Sequence, residues 1–367
     1  MEDHIKPLVD AYNDAAEMQA VGMVNDPAIG QVARELQMLQ MPTPRPAKGE
    51  VTVRIAASSM HVDEIYAAQG TALGRFYGPK NVSKANPARI GSCATGTIVG
   101  LGEGAENFKI GDDVIIIPSE YPQAGSWATY QCFDEKWIMH KPDQLSHVEA
   151  AAAVMAACVS WGAIGFAKVN AGDNCVVVGA SGAIGVMVLQ YLKSLNCRVT
   201  AVCSGANEEF VRSHGADQVV DYTKDDFGEV FSAGNDPVDA VFDCVGGRDI
   251  EASAFRCLKN SGTFVTVVGP RQYIGEEKLS WPAVLKVMSH IGWRMLVTRL
   301  TTGPKYSFGA KFPRLVVDDA VEQLLEHNIR MPVPAAIPFE IDAIRDAVQK
   351  LVTHREKGRT VICFGSD

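Results

Sequence analysis

The chain has 367 residues, of which 47% are hydrophobic and 21% are charged, so it is long enough for about two domains with substantial cores. Its formal net charge of −9 argues against a nucleic-acid partner, because such partners require clustered Lys and Arg. The nine cysteines are scattered without a Cys-x-x-Cys pair, which is typical of reduced thiols inside a cell.

The N-terminal residues carry no secretory or transit pattern. Glu2 and Asp3 directly follow Met1, and transit peptides avoid acidic residues. We therefore expect a cytoplasmic protein. Residues 4–17 alternate charged and apolar groups at helical spacing and predict a helix, so residues 1–17 form an N-terminal extension.

Residues 18–144 predict a largely antiparallel β domain. Short β-rich runs separated by Gly, Pro and Asp turn signals fill this region: MQAVGMV, GEVTVRIAASSM, RIGSCATGTIVGLG and GDDVIIIP. The C-terminal run from VPAAIPFEID to RTVICFG has the same β-rich composition. We therefore assign residues 330–367 to the same domain.

Residues 145–329 predict a doubly wound parallel sheet. Strand-like apolar runs alternate with helical patterns: VVV at 176–178, RVTAVCS, QVVDY, VDAVFDCVG and GTFVTVVG. Strands buried on both faces and joined by helices are the βαβ signature. One uncharged stretch, residues 151–167, approaches the length of a membrane span. Because Ala and Gly dominate it, we predict a buried helix and no membrane insertion.

Three glycines follow the first of these strands. Gly179 permits a sharp exit from the strand, Gly182 lets a pyrophosphate approach the backbone, and Gly185 lets the following helix pack closely against the sheet. This pattern within a βαβ unit predicts a dinucleotide site. The alternative hypothesis is a tight strand-to-helix turn with no ligand.

The end of the second strand favours NADP over NAD. NAD-specific sites place an acid there, whereas this chain has Ser204 and no acid until Glu208. Tyr222 and Lys224, after the third strand, are candidates for further contacts with the 2′-phosphate. The alternative for Tyr222 is an ordinary aromatic residue at a strand end.

These features together resemble the medium-chain dehydrogenase/reductase superfamily. The segments that carry the resemblance are VTVRIAASSMHVDEIYAAQG, GTIVGLGEGAENFKIGDDVI, GSWATYQCFDEKWIMHKPDQLSHVEAAA, CSGANEEFVRSHGADQVVDY and REKGRTVICF. The resemblance implies an α/β fold with a GroES-like β-rich catalytic domain and a Rossmann domain.

The chain resembles the zinc-free branch of this superfamily. Zinc enzymes carry Gly-His-Glu and a four-cysteine lobe, but here the corresponding run is Gly91-Ser92-Cys93 and no cysteine cluster occurs. The branch includes quinone oxidoreductases, ζ-crystallin, enoyl-thioester reductases and the reticulon-interacting mitochondrial oxidoreductases. We therefore expect no metal. An alternative metal site would combine His61 with Cys93 and Cys158.

The resemblance implies hydride transfer from NADPH to a small-molecule quinone or α,β-unsaturated carbonyl. An Asn-x-x-Asp-x-Tyr pocket segment of the branch corresponds here to a run from His61 to Tyr66, with Glu64 in the Asp position. Tyr66 and His61 are the candidate proton donors, with pocket lining and a structural histidine as the alternatives. Other functions left open are an enoyl-thioester reductase and an NADPH-binding structural or partner protein with little turnover.

The cofactor contacts are expected at carboxyl ends of strands, where open parallel sheets bind ligands. The pyrophosphate residues are Ser181, Gly182, Ala183 and Ile184, and those near the nicotinamide ribose are Val245, Gly246, Val268, Gly269 and Pro270. The run GWRMLVTRLTTGPKYSFGAKF matches a region that forms dimer-interface strands in the family, so we expect a homodimer. The alternative is a plain sixth strand and loop.

Overall fold

A computed structural model describes residues 2–71, 78–117, 125–234, 236–272, 275–309 and 313–365. The chain divides into two compact units. The β-rich unit comprises Met1–Met155, Gly275–Lys278 and Val333–Asp367, and the parallel-sheet unit comprises Ala156–Ile274 and Leu279–Pro332.

The strands are numbered in chain order. They are β1 Glu17–Met23, β2 Gln37–Pro42, β3 Glu50–Ser59, β4 Ala88–Arg89, β5 Ala94–Leu101, β6 Asp113–Ile116, β7 Tyr130–Asp134, β8 Ile138–His140, β9 Asn174–Val178, β10 Arg198–Cys203, β11 Gln218–Asp221, β12 Val238–Asp243, β13 Leu258–Thr266, β14 Lys305–Phe308, β15 Ala335–Pro338 and β16 Thr360–Cys363.

The α-helices are numbered in the same way. They are α1 Glu2–Asp14, α2 Val32–Glu35, α3 Val62–Ala68, α4 His147–Ala167, α5 Ala183–Ser194, α6 Glu208–Ser213, α7 Phe227–Ala233, α8 Arg248–Cys257, α9 Trp281–Leu300, α10 Pro313–Glu326 and α11 Ile341–Leu351.

The β-rich unit is built around one seven-stranded sheet. Its path is β15-β16-β3-β5-β6-β8, with β7 also paired to β3, and a smaller sheet has the order β2-β1-β4. The C-terminal strand β16 pairs antiparallel with β3, so the end of the chain completes the sheet that its first third begins. Val53, Ile55 and Ile362 point into the core because alternate strand residues face one side.

Helix α1 packs against the β-rich unit. Tyr12 is buried, and its hydroxyl group lies 3.0 Å from both Pro44 O and Thr52 Oγ1. The N-terminal extension therefore forms the expected helix and joins the packing of this unit.

The parallel-sheet unit contains six strands in the order β11-β10-β9-β12-β13-β14. Adjacent strands are parallel throughout, as in the pairings of Val202 with Val178 and of Asp243 with Val178. This order is that of a doubly wound Rossmann sheet, and a ligand-binding crevice is expected where the order reverses at β9. The predicted fold class, a GroES-like domain with a Rossmann sheet, is confirmed.

The expected strands within GWRMLVTRL are wrong. Helix α9 extends through this run to Leu300, and the sixth strand is confined to β14. A continuous apolar run does not distinguish a strand from a helix, and the Ser280 side chain caps α9 by accepting a bond from Ala283 N.

Helix α4 is the one helix in the described residues that is long and apolar enough to span a membrane by length and composition. In its apolar window, 67% of the residues are buried within the protein. Such burial is typical of a core helix.

Candidate active site

The glycine turn after β9 is shaped by close backbone contacts. Gly179 has φ +75°, and a Cβ there would lie 2.7 Å from Val245 Cγ2. A Cβ on Gly185 would overlap the carbonyl oxygen of Gly179, so only glycine permits this approach of α5 to the strand. At Gly182 the nearest atom to a Cβ would be Gly179 O at 3.4 Å, which leaves the backbone approachable.

Gly182 is the N-cap of helix α5, and Ala183 and Ile184 begin its first turn. The first amides of a helix have no acceptor within the helix, and the helix dipole makes this end partially positive. Together with Ser181, which precedes the cap, these residues form a cradle that fits the pyrophosphate of a dinucleotide.

The second part of the site lies after β10 and β11. Ser204 directly follows β10, and Asn207 Nδ2 donates to Ser181 Oγ at 3.0 Å, which links this loop to the glycine turn. Tyr222 directly follows β11 and is 64% exposed. Lys224 Nζ lies 3.3 Å from the Asp221 carboxylate.

Asp221 and Asn207 were not predicted from the sequence. Hydrogen bonds from Thr223, first of all, and from Lys224 and the Gly205 amide hold the pKa of Asp221 below its usual value. Its place at the carboxyl end of β11, in register with Cys203 on β10, is a signal that the strand-end rule provides.

The third part of the site is formed by the loops after β12 and β13. The buried Asp243 carboxylate accepts hydrogen bonds from Val245 N at 2.9 Å and Gly246 N at 2.8 Å, and Thr266 Oγ1 donates to it at 2.7 Å. Burial raises the pKa of this carboxyl group. Asp243 therefore fixes the first loop, a role that was not predicted from the sequence.

The second of these loops is fixed by the same Thr266. Its hydroxyl oxygen accepts from Gly269 N at 2.9 Å and lies 3.3 Å from Val268 N, and Pro270 follows. Gly247 N donates to Gly269 O at 2.9 Å, which ties the two loops together. All the candidate cofactor residues thus lie at the carboxyl edge of one sheet.

His61 is a buried residue of the β-rich unit at the N-cap of α3. Its Nε2 lies 2.9 Å from Ser59 Oγ. Burial, reinforced by the positive charge of Arg359, holds the pKa of His61 well below its usual value. The imidazole is therefore neutral at pH 7.

Glu64 lies beside His61 and is also buried. One carboxylate oxygen accepts from His61 N at 2.9 Å, and the other accepts from Ser92 Oγ at 2.6 Å. Burial raises the pKa of Glu64 to about 7, against the lowering effect of these bonds and of Arg359. The sequence predicts Glu64 only as a replacement for Asp, so this titrating group was missed.

Tyr66, the other candidate proton donor, is bound to residues far away in the chain. Its hydroxyl oxygen lies 2.9 Å from His354 Nε2, and the same nitrogen lies 3.4 Å from Glu276 Oε1. A Cβ on Gly275 would overlap the Tyr66 ring, so Gly275 lies flat against the ring face. No sequence signal joins Tyr66 to His354, which is 288 residues distant.

Two family models match the chain. The model described as alcohol dehydrogenase GroES-like domain matches residues 47–143, and the model described as zinc-binding dehydrogenase matches residues 183–292. The first match falls on the β-rich unit and the second on the parallel-sheet unit.

Curated relatives match at modest identity. A zinc-type alcohol dehydrogenase-like protein of Schizosaccharomyces pombe is 30% identical over 65% of this chain and 66% of its own length. The mitochondrial NAD(P)H oxidoreductase RTN4IP1 of Danio rerio is 28% identical over 87% of this chain and 84% of its own length. A chloroplast envelope quinone oxidoreductase homolog of Arabidopsis thaliana is 31% identical over 59% of this chain and 66% of its own length.

Solved structures show the same fold. The quinone oxidoreductase of Coxiella burnetii superposes with a TM-score of 0.75 at 22% identity, covering 95% of this chain and 99% of that one.

The expected cytoplasmic location is contradicted by these relatives. The oxidoreductases of zebrafish, human, cattle and mouse are all named as mitochondrial proteins, and plant relatives are named as chloroplast proteins. The expectation rested on the acidic residues after Met1, which do not determine location.

The residues present do not fit the zinc that one family description implies. Among the described residues, no three His, Cys, Asp or Glu side chains come together as a ligand set. His61 Nε2 is bonded to Ser59 Oγ and Ser92 is bonded to Glu64, so these side chains are already paired with one another. The alternative site of His61, Cys93 and Cys158 thus finds no support.

The matched families, the relatives and the shared fold all indicate a dehydrogenase or reductase, as does the glycine turn with its surrounding loops. The chain belongs to the medium-chain dehydrogenase/reductase superfamily and is an oxidoreductase of that superfamily, with homologues among the quinone oxidoreductases.

Proposed function

We propose that the protein is a zinc-independent reductase that transfers a hydride from NADPH to a quinone or an α,β-unsaturated carbonyl. The observation that carries this proposal is the cradle formed by Gly179, Gly182 and Gly185 at the start of α5. The names of the zebrafish and Arabidopsis relatives, an NAD(P)H oxidoreductase and a quinone oxidoreductase homolog, support the same chemistry.

The bound dinucleotide would supply the hydride, and the protein supplies position and a proton. The first amides of α5 bind the pyrophosphate, and the loops held by Asp243 and Thr266 border the nicotinamide ribose. Addition of a hydride to a conjugated acceptor leaves negative charge on the carbonyl oxygen, which a proton must neutralise. Tyr66 provides an O–H group for this purpose, whereas the neutral imidazole of His61 is enclosed beside Ser59.

The preference for NADPH rests on the loop after β10. Ser204 brings no negative charge to the position where an acid would repel a 2′-phosphate. The Asp221 carboxylate at this end is compensated by Lys224 and by hydrogen bonds from Thr223. Asn207, held by its bond to Ser181, adds a neutral polar group.

The experiment is an oxidation assay. NADPH and NADH are each mixed with the protein and with a quinone, an enone or a crotonyl-thioester, and the absorbance of the reduced nicotinamide is followed. We expect oxidation of NADPH by quinones or enones and a lower kcat/KM with NADH. A preference for the crotonyl-thioester would establish an enoyl-thioester reductase instead. Tight NADPH binding without oxidation would establish a binding protein with little turnover.

We also propose that the protein is a homodimer formed through α9. The inner side of this helix packs through Ile291 and Thr298, yet its other side exposes large apolar side chains. These side chains are Trp281, Leu285, Met288, Trp293, Leu296 and Leu300. A contiguous apolar face of this kind on a helix is typical of a protein interface. Strand β14, at the edge of the sheet, lies next to α9.

A further inference from the structure

We propose that His354 resupplies the Tyr66 hydroxyl with a proton during turnover and that Glu276 orients the imidazole for this transfer. This inference rests on the proposed function, in which Tyr66 gives a proton to the reduced acceptor. His354 acts through Tyr66 and is therefore a positioning and proton-supplying residue.

Tyr66 and His354 are in direct contact. Tyr66 lies on α3 and is buried, with 8% of its surface exposed, whereas the His354 side chain is 28% exposed. The 2.9 Å separation of Tyr66 Oη and His354 Nε2 is a hydrogen-bond distance. The imidazole thus connects a buried hydroxyl group to the solvent.

Glu276 lies next to the His354 imidazole. Its carboxylate oxygen Oε1 lies 3.4 Å from the same Nε2 that contacts Tyr66. A negative oxygen beside Nε2 favours the form of the ring that carries its proton there. The Nε2–H group then donates to Tyr66 Oη, and Tyr66 in turn serves as the proton donor to a substrate oxygen.

The surrounding structure holds His354, Glu276 and Tyr66 in these positions. His354 has φ +54°, a left-handed conformation that few residues other than glycine adopt. Gly275 lies against the Tyr66 ring, and Gln69 Nε2 donates to Gly275 O at 2.9 Å. The segment that carries Glu276 is thereby fixed next to the helix that carries Tyr66.

The proton transfers balance in the following order. The Tyr66 O–H bond breaks as its proton passes to the oxygen of the hydride-reduced acceptor, leaving a tyrosinate. The ring that delivers the proton is the imidazolium beside Glu276, which carries a proton on each nitrogen: its Nε2–H bond breaks, the proton restores the Tyr66 hydroxyl group, and a neutral imidazole protonated at Nδ1 remains. Water returns a proton to Nε2. The net uptake is one hydride from the dinucleotide and one proton from solvent.

The test uses two substitutions at position 354 that both tolerate φ +54°. The variant His354→Asn keeps an N–H donor but cannot transfer a proton, and His354→Gly leaves space for added imidazole. A matched control is His327→Asn, an exposed histidine in the parallel-sheet unit. The kcat and KM for the acceptor are measured for each variant, with and without imidazole.

For both substitutions at His354, we expect kcat to fall about tenfold or more, since a positioned proton donor contributes on that scale, while KM changes little. Free imidazole should restore much of the kcat of His354→Gly only, and His327→Asn should match the wild type. An unchanged kcat in the two variants, or a loss in His354→Gly that imidazole does not restore, would overturn the role of His354. A wild-type protein that reduces no acceptor would instead overturn the proposed function itself.

Discussion

Glu64 shows how burial changes the chemistry of a single residue. Its carboxyl group is enclosed with Ser92 and His61, and burial raises its pKa from 4.5 to about 7. The folded protein therefore keeps Glu64 protonated over a pH range in which the unfolded chain ionises it. Stability is consequently lost as the pH rises from about 4.5 to about 7, and the loss is constant above that range.

The substitution Glu64→Gln removes this dependence. The rise in the pKa of Glu64 corresponds to about 3 kcal/mol of unfolding free energy, at about 1.36 kcal/mol for each pKa unit. We expect the unfolding free energy of the wild type, relative to that of the variant, to fall by about this amount between pH 4.5 and 7. Urea unfolding of both proteins across this range is the measurement. If the unfolding free energies of the wild type and of Glu64→Gln change in parallel with pH, the raised pKa of Glu64 is contradicted.

The residues that sequence reasoning missed share one property. Glu64 acquires its pKa from burial among residues such as Ser92, 28 positions away, and Arg359, whose guanidinium binds Met60 O across 299 positions. Tyr66 meets His354 in the same way. Such contacts form only when distant parts of the chain fold together, whereas the glycine turn is recognisable from the local spacing of its residues.

The strand-turn-helix element of β9 and α5 yields a prediction that separates binding from folding. In Gly185→Ala the new Cβ overlaps the backbone of Gly179, so the thermal midpoint should fall by several degrees. In Gly182→Ala the Cβ meets no protein atom closer than 3.4 Å, so the midpoint should hold. The added methyl group of Gly182→Ala should nevertheless obstruct the pyrophosphate and weaken dinucleotide binding about tenfold or more.

Thermal unfolding and fluorescence titration with NADPH measure the two effects. Undiminished NADPH affinity in a folded Gly182→Ala protein would show that the pyrophosphate does not lie against this turn. The two variants serve as controls for each other, since both add one methyl group to the same turn.

Elements with a clear period were predictable, and those without one were not. Strand β3 has the buried apolar residues Val51, Val53 and Ile55 at alternate positions, and β9 is a short apolar run before a glycine turn, so both were located from the sequence. Helix α9 contains a largely apolar run at residues 293–300, with two arginines and one threonine among its eight residues, and this composition fits a strand equally well. Its Ser280 cap was the local signal for a helix.

At the scale of the whole molecule, the exposed face of α9 predicts self-association. We expect the wild type to be a dimer by size-exclusion chromatography with light scattering. The double variant Leu285→Glu/Trp293→Glu should be a monomer, because it places charges in the apolar interface. The control Leu315→Glu changes a leucine that is 75% exposed on α10, and this variant should remain a dimer. A monomeric wild type would contradict the proposal.

Isotope labelling shows whether this chain transfers a hydride from a dinucleotide and a proton from water. The protein is given an enone and NADPH carrying deuterium on both positions of nicotinamide C4, in ordinary water, and the product is analysed by mass spectrometry and NMR. The account predicts one deuterium at the β-carbon of the product and ordinary hydrogen at the α-carbon. A product without deuterium, or no product with any acceptor, would contradict it.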